Sequence, residues 1–230
     1  MTLVSRLVDP PVVVVEVPTD ATAEPLHPDE DAVLGRVVES RRREFTLGRH
    51  CARLALERLG VPLVPILPGR TREPLWPAGV AGSISHCALW CAAAAAPTAL
   101  VASIGVDVEI DEPLPDEVID LVLISDEREW LGAAPPGICW DRLLFSAKES
   151  VYKAWYPLMH RWLGFEDVCV RIDPKNRVFS AELLSTRLVV DGRDFTGLGG
   201  RFDFNSGILA TAIIVPQPGD IATRTEGEGT

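Results

Sequence analysis

The chain has 230 residues, nearly half of them hydrophobic, with five cysteines and a formal net charge of −11 at pH 7. That length supports one large domain or two small ones around a buried core, and the acidic balance excludes broad nucleic-acid binding. No apolar run approaches the ~20 residues of a membrane helix. An odd cysteine count without a CxxC pair excludes a disulfide framework and a zinc site and points to a reducing cytosol.

In chain order, "MTLVSRLVDPPVVVVEV" lacks a basic leader and a small-residue cleavage site, so its valine run predicts a strand. A polar connector follows to about Pro28. From Asp29 to Leu59, the residues Leu34, Val38, Phe45, Ala52, Leu56 and Leu59 recur at helical spacing, with Gly48 as a break point and Gly60 and Pro62 as the stop. Between Arg41 and Arg58 six arginines face two acids, a local charge of +4 in an acidic chain. "VPLVPILPGRTREPLWPAG" predicts a long structured loop. "GSISHCALWCAAAAAP" is ambiguous: alanine favours helix, while the Gly-Ser opening and the following "VASIGVDVEI" favour paired strands. Residues 114–133 predict one or two short helices and 138–158 a longer one. The segments "VCVRI", "RVFSAELL", "TRLVVDG" and "FDFNSGILATAIIV" alternate like strands. From Pro216 the composition predicts a disordered tail. The class is α+β, helices lying on largely antiparallel sheets.

Two stretches carry chemistry. On a strand, Asp107 and Glu109 of "GVDVE" point to one side with Cα atoms about 7 Å apart. Paired carboxylates suit a hard divalent cation such as Mg²⁺, although two solvent-facing acids at a strand end explain them as well. In "FSAKESVYK", Glu149 and Lys153 share a helix face. They are either a plain ion pair or a metal ligand or general base beside a phosphate counter-charge. Helical projection turns Arg41 inward and leaves Arg49 and Arg53 at the edge, and an inward guanidinium needs an anion, from phosphate or from a protein carboxylate. "GSISH" adds backbone amides, Ser85 and His86, a small anion cradle. Phe145, Tyr152, Trp155 and Trp162 read as core, Tyr152 being the exception because it borders the charged face.

Together, "RRREFTLGRHCARLAL", "REPLWPAGVAGSISHC", "GVDVE", "WDRLLFSAKESVYKAW" and "RWLGFEDV" resemble the 4′-phosphopantetheinyl transferases of the Sfp/EntD type. The similarity is greatest to actinobacterial members serving polyketide and fatty acid synthases, and it runs from about residue 35 to 215. The resemblance implies two pseudo-symmetric α+β halves in one chain, 1–105 and 106–215, with a tail over 216–230 and a coenzyme A cleft between the halves. It also implies that residues Ala92–Ala96 form a strand. Carried over by position, Asp107, Glu109 and Glu149 become Mg²⁺ ligands. Arg41, Arg49, Ser85 and His86 become phosphate contacts, and Thr71, Arg72, Glu73 and Pro74 line the adenine side, with Arg70 and Arg72 flanking the threonine. Tyr152, Trp162 and Leu163 wall the pantetheine channel.

The implied reaction moves the 4′-phosphopantetheine arm from coenzyme A to a serine of an acyl or peptidyl carrier domain, releasing 3′,5′-ADP. Glu149, Lys153 and Asp107 are the catalytic set: Glu149 as metal ligand, base or both, and Lys153 on the leaving phosphate, with Lys148 supporting the same anion. The expected protein is a cytoplasmic monomer without nucleic-acid or membrane partners, which meets the carrier through "HRWLGFED". The rivals are a Mg²⁺-dependent nucleotide pyrophosphatase and a non-catalytic module that holds coenzyme A or a carrier.

Overall fold

The computed structural model describes residues 2–217. The elements, in chain order, are β1 (Val13–Pro18), α1 (Pro28–Leu34), α2 (Glu39–Arg58), β2 (Val80–His86), β3 (Trp90–Pro97), β4 (Val101–Ile110), α3 (Asp116–Val122), α4 (Ser125–Gly132), α5 (Trp140–Met159), β5 (Val168–Asp173), β6 (Val178–Leu183), β7 (Leu188–Val190), β8 (Arg193–Phe195), β9 (Gly197–Asn205) and β10 (Ile208–Pro216). Strands β1-β3-β2 form one antiparallel sheet, β4-β10-β9-β6-β5 a second, and β7-β8 a small hairpin. Each main sheet carries one 20-residue helix: α2 lies on the first and α5 on the second. The expected α+β class with two similar halves is the observed architecture.

The alanine run shows why propensity yields to packing. Ala92 through Ala96 are fully buried in β3, the middle strand of its sheet. One face packs under α2 with Leu47, Ala52 and Leu56, and the other meets Val106 and Val108. A strand buried on both faces reads as a continuous apolar run.

The helical stretch from Asp29 to Leu59 does divide, but at Gly35 (φ 61°) rather than Gly48. Gly48 lies within α2, where an added Cβ would stand 3.0 Å from the Ile84 side chain, so it serves packing. Because α2 starts at Glu39, its inward face also differs from the projection. Arg49 is buried, Arg41 is half exposed, and Val38 lies open to solvent.

A repeated polar pin records the relation between the halves. Glu30 occupies the third position of α1 and accepts from the His27 amide behind it, the Ile66 amide ahead of it and Arg53 on α2 at 2.8 Å. Glu127 occupies the third position of α4 and accepts from the Ile124 and Val170 amides and from Lys148 on α5 at 2.8 Å. Both carboxylates are buried, so each is held by an opposite charge and by backbone donors. Lys148 is therefore not a cleft residue. It is 2% exposed and also donates to the Val122 and Phe165 carbonyls, because its side of α5 faces the core. Leu163 is likewise core, packed with Trp155 and Val168 instead of walling a channel.

The division expected after residue 105 falls inside β4, which is continuous. Pro216 closes β10, and Gln217 bonds to the Leu100 and Thr98 carbonyls. The rest of the expected tail, 218–230, lies outside the described residues. Among the described residues no helix is long and apolar enough to cross a membrane.

Candidate active site

The seam between the halves is built by serines at strand period. Ser83 and Ser85 stand two apart on β2, and their hydroxyls accept from the Val106 and Val108 amides, also two apart on β4. These bonds satisfy amides on the outer edge of β4, and they bring Ser85 to Asp107 (2.8 Å). Lys153 arrives from α5 and completes the knot, with its ammonium 2.6 Å from Asp107 Oδ1 and 2.9 Å from Ser85 Oγ. The Ser85 hydroxyl thus donates once and accepts twice, which fills its capacity.

Gly105 lets α5 come this close. A Cβ there would stand 1.9 Å from the Ser150 carbonyl oxygen of α5, a contact with backbone that cannot swing away. Gly105→Ala should therefore lower stability by about 3 kcal/mol in a denaturant titration, because the helix must lift from the strand.

Asp107 is 3% exposed, and its second oxygen, Oδ2, is buried without a hydrogen-bond partner among the described residues. Glu109, on the same strand face, is held by Arg142 at 3.1 Å. Burial first, and Asp107 second, push the Glu109 carboxyl up to about 7 against the pull of Arg142. Glu149 makes no hydrogen bond to a described residue, and burial raises its pKa, with Lys153 opposing and Asp107 adding to the shift. Lys153 is thus spent on Asp107 and not on an i,i+4 pair with Glu149. Among the described residues no three acidic, histidine or cysteine side chains are gathered closely enough to form a ready metal cluster.

Beside this knot lies a cleft of about 230 Å³. Thr71, Arg72, Glu73 and Pro74 wall it from the loop before β2, with Ser83 and Ile84 behind them, and α5 supplies Glu149, Tyr152, Lys153 and Tyr156. Of the two arginines flanking Thr71, only Arg72 lines it. Tyr152 packs 5.2 Å from the Trp162 ring, and Trp162 is 77% exposed. The aromatic side is thus open at one end.

Arg41 and Arg49 of α2 lie near enough to repel each other but differ in burial. Arg41 contacts His86 at 3.4 Å and Glu44 at 3.3 Å. Burial holds the His86 imidazole below its ordinary pKa, partly offset by Glu44. Arg49 donates to the Ile66 carbonyl and lies over the Phe45 ring. Burial lowers its pKa to about 10, opposed by Glu30 and reinforced by Arg41 and Arg53. The structure therefore brings Asp107, Ser85 and Lys153 together, places Glu149, Tyr152 and residues 71–74 on one cleft, and sets Lys148 and Leu163 apart. Arg142, which the motifs did not flag, lies seven residues before Glu149, two helical turns along the same face.

Family models described as the 4′-phosphopantetheinyl transferase N-terminal domain and the 4′-phosphopantetheinyl transferase superfamily match residues 29–96 and 103–192. The chain is 47% identical to the 4′-phosphopantetheinyl transferase Svp of Streptomyces mobaraensis, over 92% of this chain and 89% of that one. It is 41% identical to PptT of Mycobacterium tuberculosis, over 82% and 85%. Enterobactin synthase component D of Salmonella typhi is 42% identical over about half of each chain, 50% and 48%. The chain belongs to the 4′-phosphopantetheinyl transferase superfamily, as an enzyme of the Sfp/EntD type.

Proposed function

We propose that the enzyme transfers the 4′-phosphopantetheine arm of coenzyme A to a serine hydroxyl of an acyl or peptidyl carrier domain, in a Mg²⁺-dependent reaction that releases 3′,5′-ADP. The observation that carries this reading is the meeting of Glu149 and Lys153 with the loop 71–74 on one cleft, beside a strand whose Asp107 keeps a buried oxygen unpartnered. That orphaned oxygen fits a hard cation, as does the raised pKa of Glu109, so Asp107, Glu109 and Glu149 would hold the ion. When bound, Mg²⁺ supplies charge neutralisation for the pyrophosphate oxygens.

The chain's own groups do the rest. Glu149 accepts the proton of the attacking serine as the new Oγ–P bond forms, and its raised pKa suits a base. Lys153 faces the charge that grows as the bridging P–O bond breaks. Arg41, Arg49 and His86 hold the phosphate of the nucleotide end, and Thr71 to Pro74 flank its base. Tyr152 and Tyr156 border the arm, so both ends of a long substrate are fixed and the phosphorus is placed between them. The five cysteines are all free, in keeping with a reducing cytoplasm.

Intact-mass measurement of an apo carrier domain after incubation with coenzyme A and Mg²⁺ tests the reading. A gain of one phosphopantetheine arm is expected. Release of nucleotide without carrier would identify a pyrophosphatase instead. Carrier docking is assigned to the exposed Arg161 and Trp162 beside the open end of the cleft. Arg161→Glu should raise the Michaelis constant for carrier several-fold and leave that for coenzyme A unchanged. Equal effects on both would remove the assignment.

A further inference from the structure

Three hydroxyls with no solvent exposure lie between α5 and the second sheet: Ser146 and Ser150 on the helix and Thr211 on β10. Serine and threonine are poor choices for a helix–sheet contact, where alanine or valine would cost nothing in polar burial. Here they form one closed network. Thr211 Oγ1 donates to the Ser146 carbonyl (2.9 Å). It also lies 2.9 Å from the Ser146 hydroxyl and 2.6 Å from the Ser150 hydroxyl, contacts in which either oxygen can donate, and the Ser150 hydroxyl lies 3.3 Å from the Thr211 carbonyl. Three polar partners thus surround one buried hydroxyl, which ties Thr211 to two successive turns of α5.

The location gives this lock its meaning. Thr211 is the direct cross-strand partner of Asp107 in the β10–β4 ladder, so the two side chains emerge on one face of the sheet. Ser146 and Ser150 lie on the same helix face as Glu149 and Lys153. Gly105 sets how near α5 can come, because its missing Cβ leaves room for the Ser150 carbonyl. Nearness alone leaves the helix free to slide along the strands, and apolar packing is non-directional. Hydrogen bonds to a fixed threonine are not.

We propose that Thr211, through Ser146 and Ser150, is a positioning residue: it fixes the register of α5 on β4 and β10 so that Lys153 meets Asp107 and Glu149 faces the cleft. The proposal rests on the reading that this cleft performs the transfer. It assigns a purpose to the two uncharged polar positions of "FSAKESVYK" that the charges leave unexplained.

The test compares Thr211→Ser, Thr211→Val and the triple variant Ser146→Ala/Ser150→Ala/Thr211→Val. Each is assayed for thermal midpoint and for transfer kinetics below that midpoint, with wild type run alongside. Wild-type transfer must be seen first, and its absence removes the functional reading and not the network. Thr211→Ser keeps the hydroxyl and should hold kcat within about twofold. Thr211→Val orphans the Ser146 hydroxyl and leaves Ser150 only its 3.3 Å bond to the carbonyl of residue 211, so it should lose both stability and rate. The triple variant leaves no orphaned hydroxyl, so its midpoint should recover toward wild type. Its kcat should stay down by about tenfold or more, with KM for coenzyme A nearly unchanged, since a small misplacement of reacting groups is costly. A stable triple variant with wild-type kcat overturns the proposal. If the triple variant does not fold, Ser146→Ala and Ser146→Ala/Ser150→Ala replace it, and a wild-type kcat in both overturns it equally.

Discussion

Glu149→Gln should reduce kcat by about 10²- to 10⁴-fold, the range for loss of a positioned general base. The substitution is nearly isosteric, and Glu149 makes no hydrogen bond to a described residue, so the fold should survive it. The pH dependence gives the sharper readout. Burial raises the pKa of Glu149, so a base at this position must be ionised against that penalty. The wild-type rate should then fall on acidification, and Glu149→Gln should remove the Glu149 part of that acid limb and leave the part set by Glu109. Measuring Mg²⁺ affinity separately by calorimetry divides the two roles. A loss of rate at unchanged affinity marks the base, and a parallel loss marks the ligand. If rate and affinity both stay at wild-type level, Glu149 has neither role.

The second large effect is on folding. Lys148→Met should destabilise the protein by about 3–5 kcal/mol, because it strips the counter-charge from a fully enclosed Glu127. The Val122 and Phe165 carbonyls lose the ammonium in the same step, although Phe165 keeps the Val168 amide. The measurement is a shift in denaturant midpoint, with KM for coenzyme A unchanged wherever the variant remains folded. Lys148→Met/Glu127→Gln should recover part of the loss, since no charge stays buried, although the single amide oxygen can accept from only one of the Ile124 and Val170 N–H groups, which now bond to separate carboxylate oxygens. A selective rise in KM for coenzyme A would return Lys148 to the cleft. Lys153, five residues on and so on another face of the helix, should behave oppositely, because its side chain reaches Asp107 and borders the cleft.

Strong periodicity and paired acids were the legible parts of this chain. The helix expected over 138–158 is Trp140–Met159, since its apolar stripe repeats without interruption. Asp107 and Glu109 do share a strand face because a strand's period is two. The two serines of "GSISH" obey the same period, yet they match amides 23 residues away, which no local pattern announces. Lys148 was expected to support the same anion as Lys153 because adjacency to Glu149 in sequence was mistaken for a shared face. On a helix, neighbours diverge, and its real partner Glu127 lies 21 residues upstream. A trace of the duplication was present in "HPDE" and "ISDE", each ending on the pinned glutamate, but four residues are too few to argue a repeat unaided. Arg41 and Arg49 exchanged places because the projection was phased across Gly35, where the helix is broken.

The order of strands in the larger sheet has a consequence for how the enzyme comes into being. The strand β10 is inserted between β4 and β9, so an interior strand of the sheet is synthesised after all four of its companions. A nascent chain on the ribosome can assemble α2 with its three strands early. The acidic strand must wait for a mate more than ninety residues downstream. Truncations ending before Ile208 should therefore abolish activity outright instead of eroding it, and they should engage chaperones.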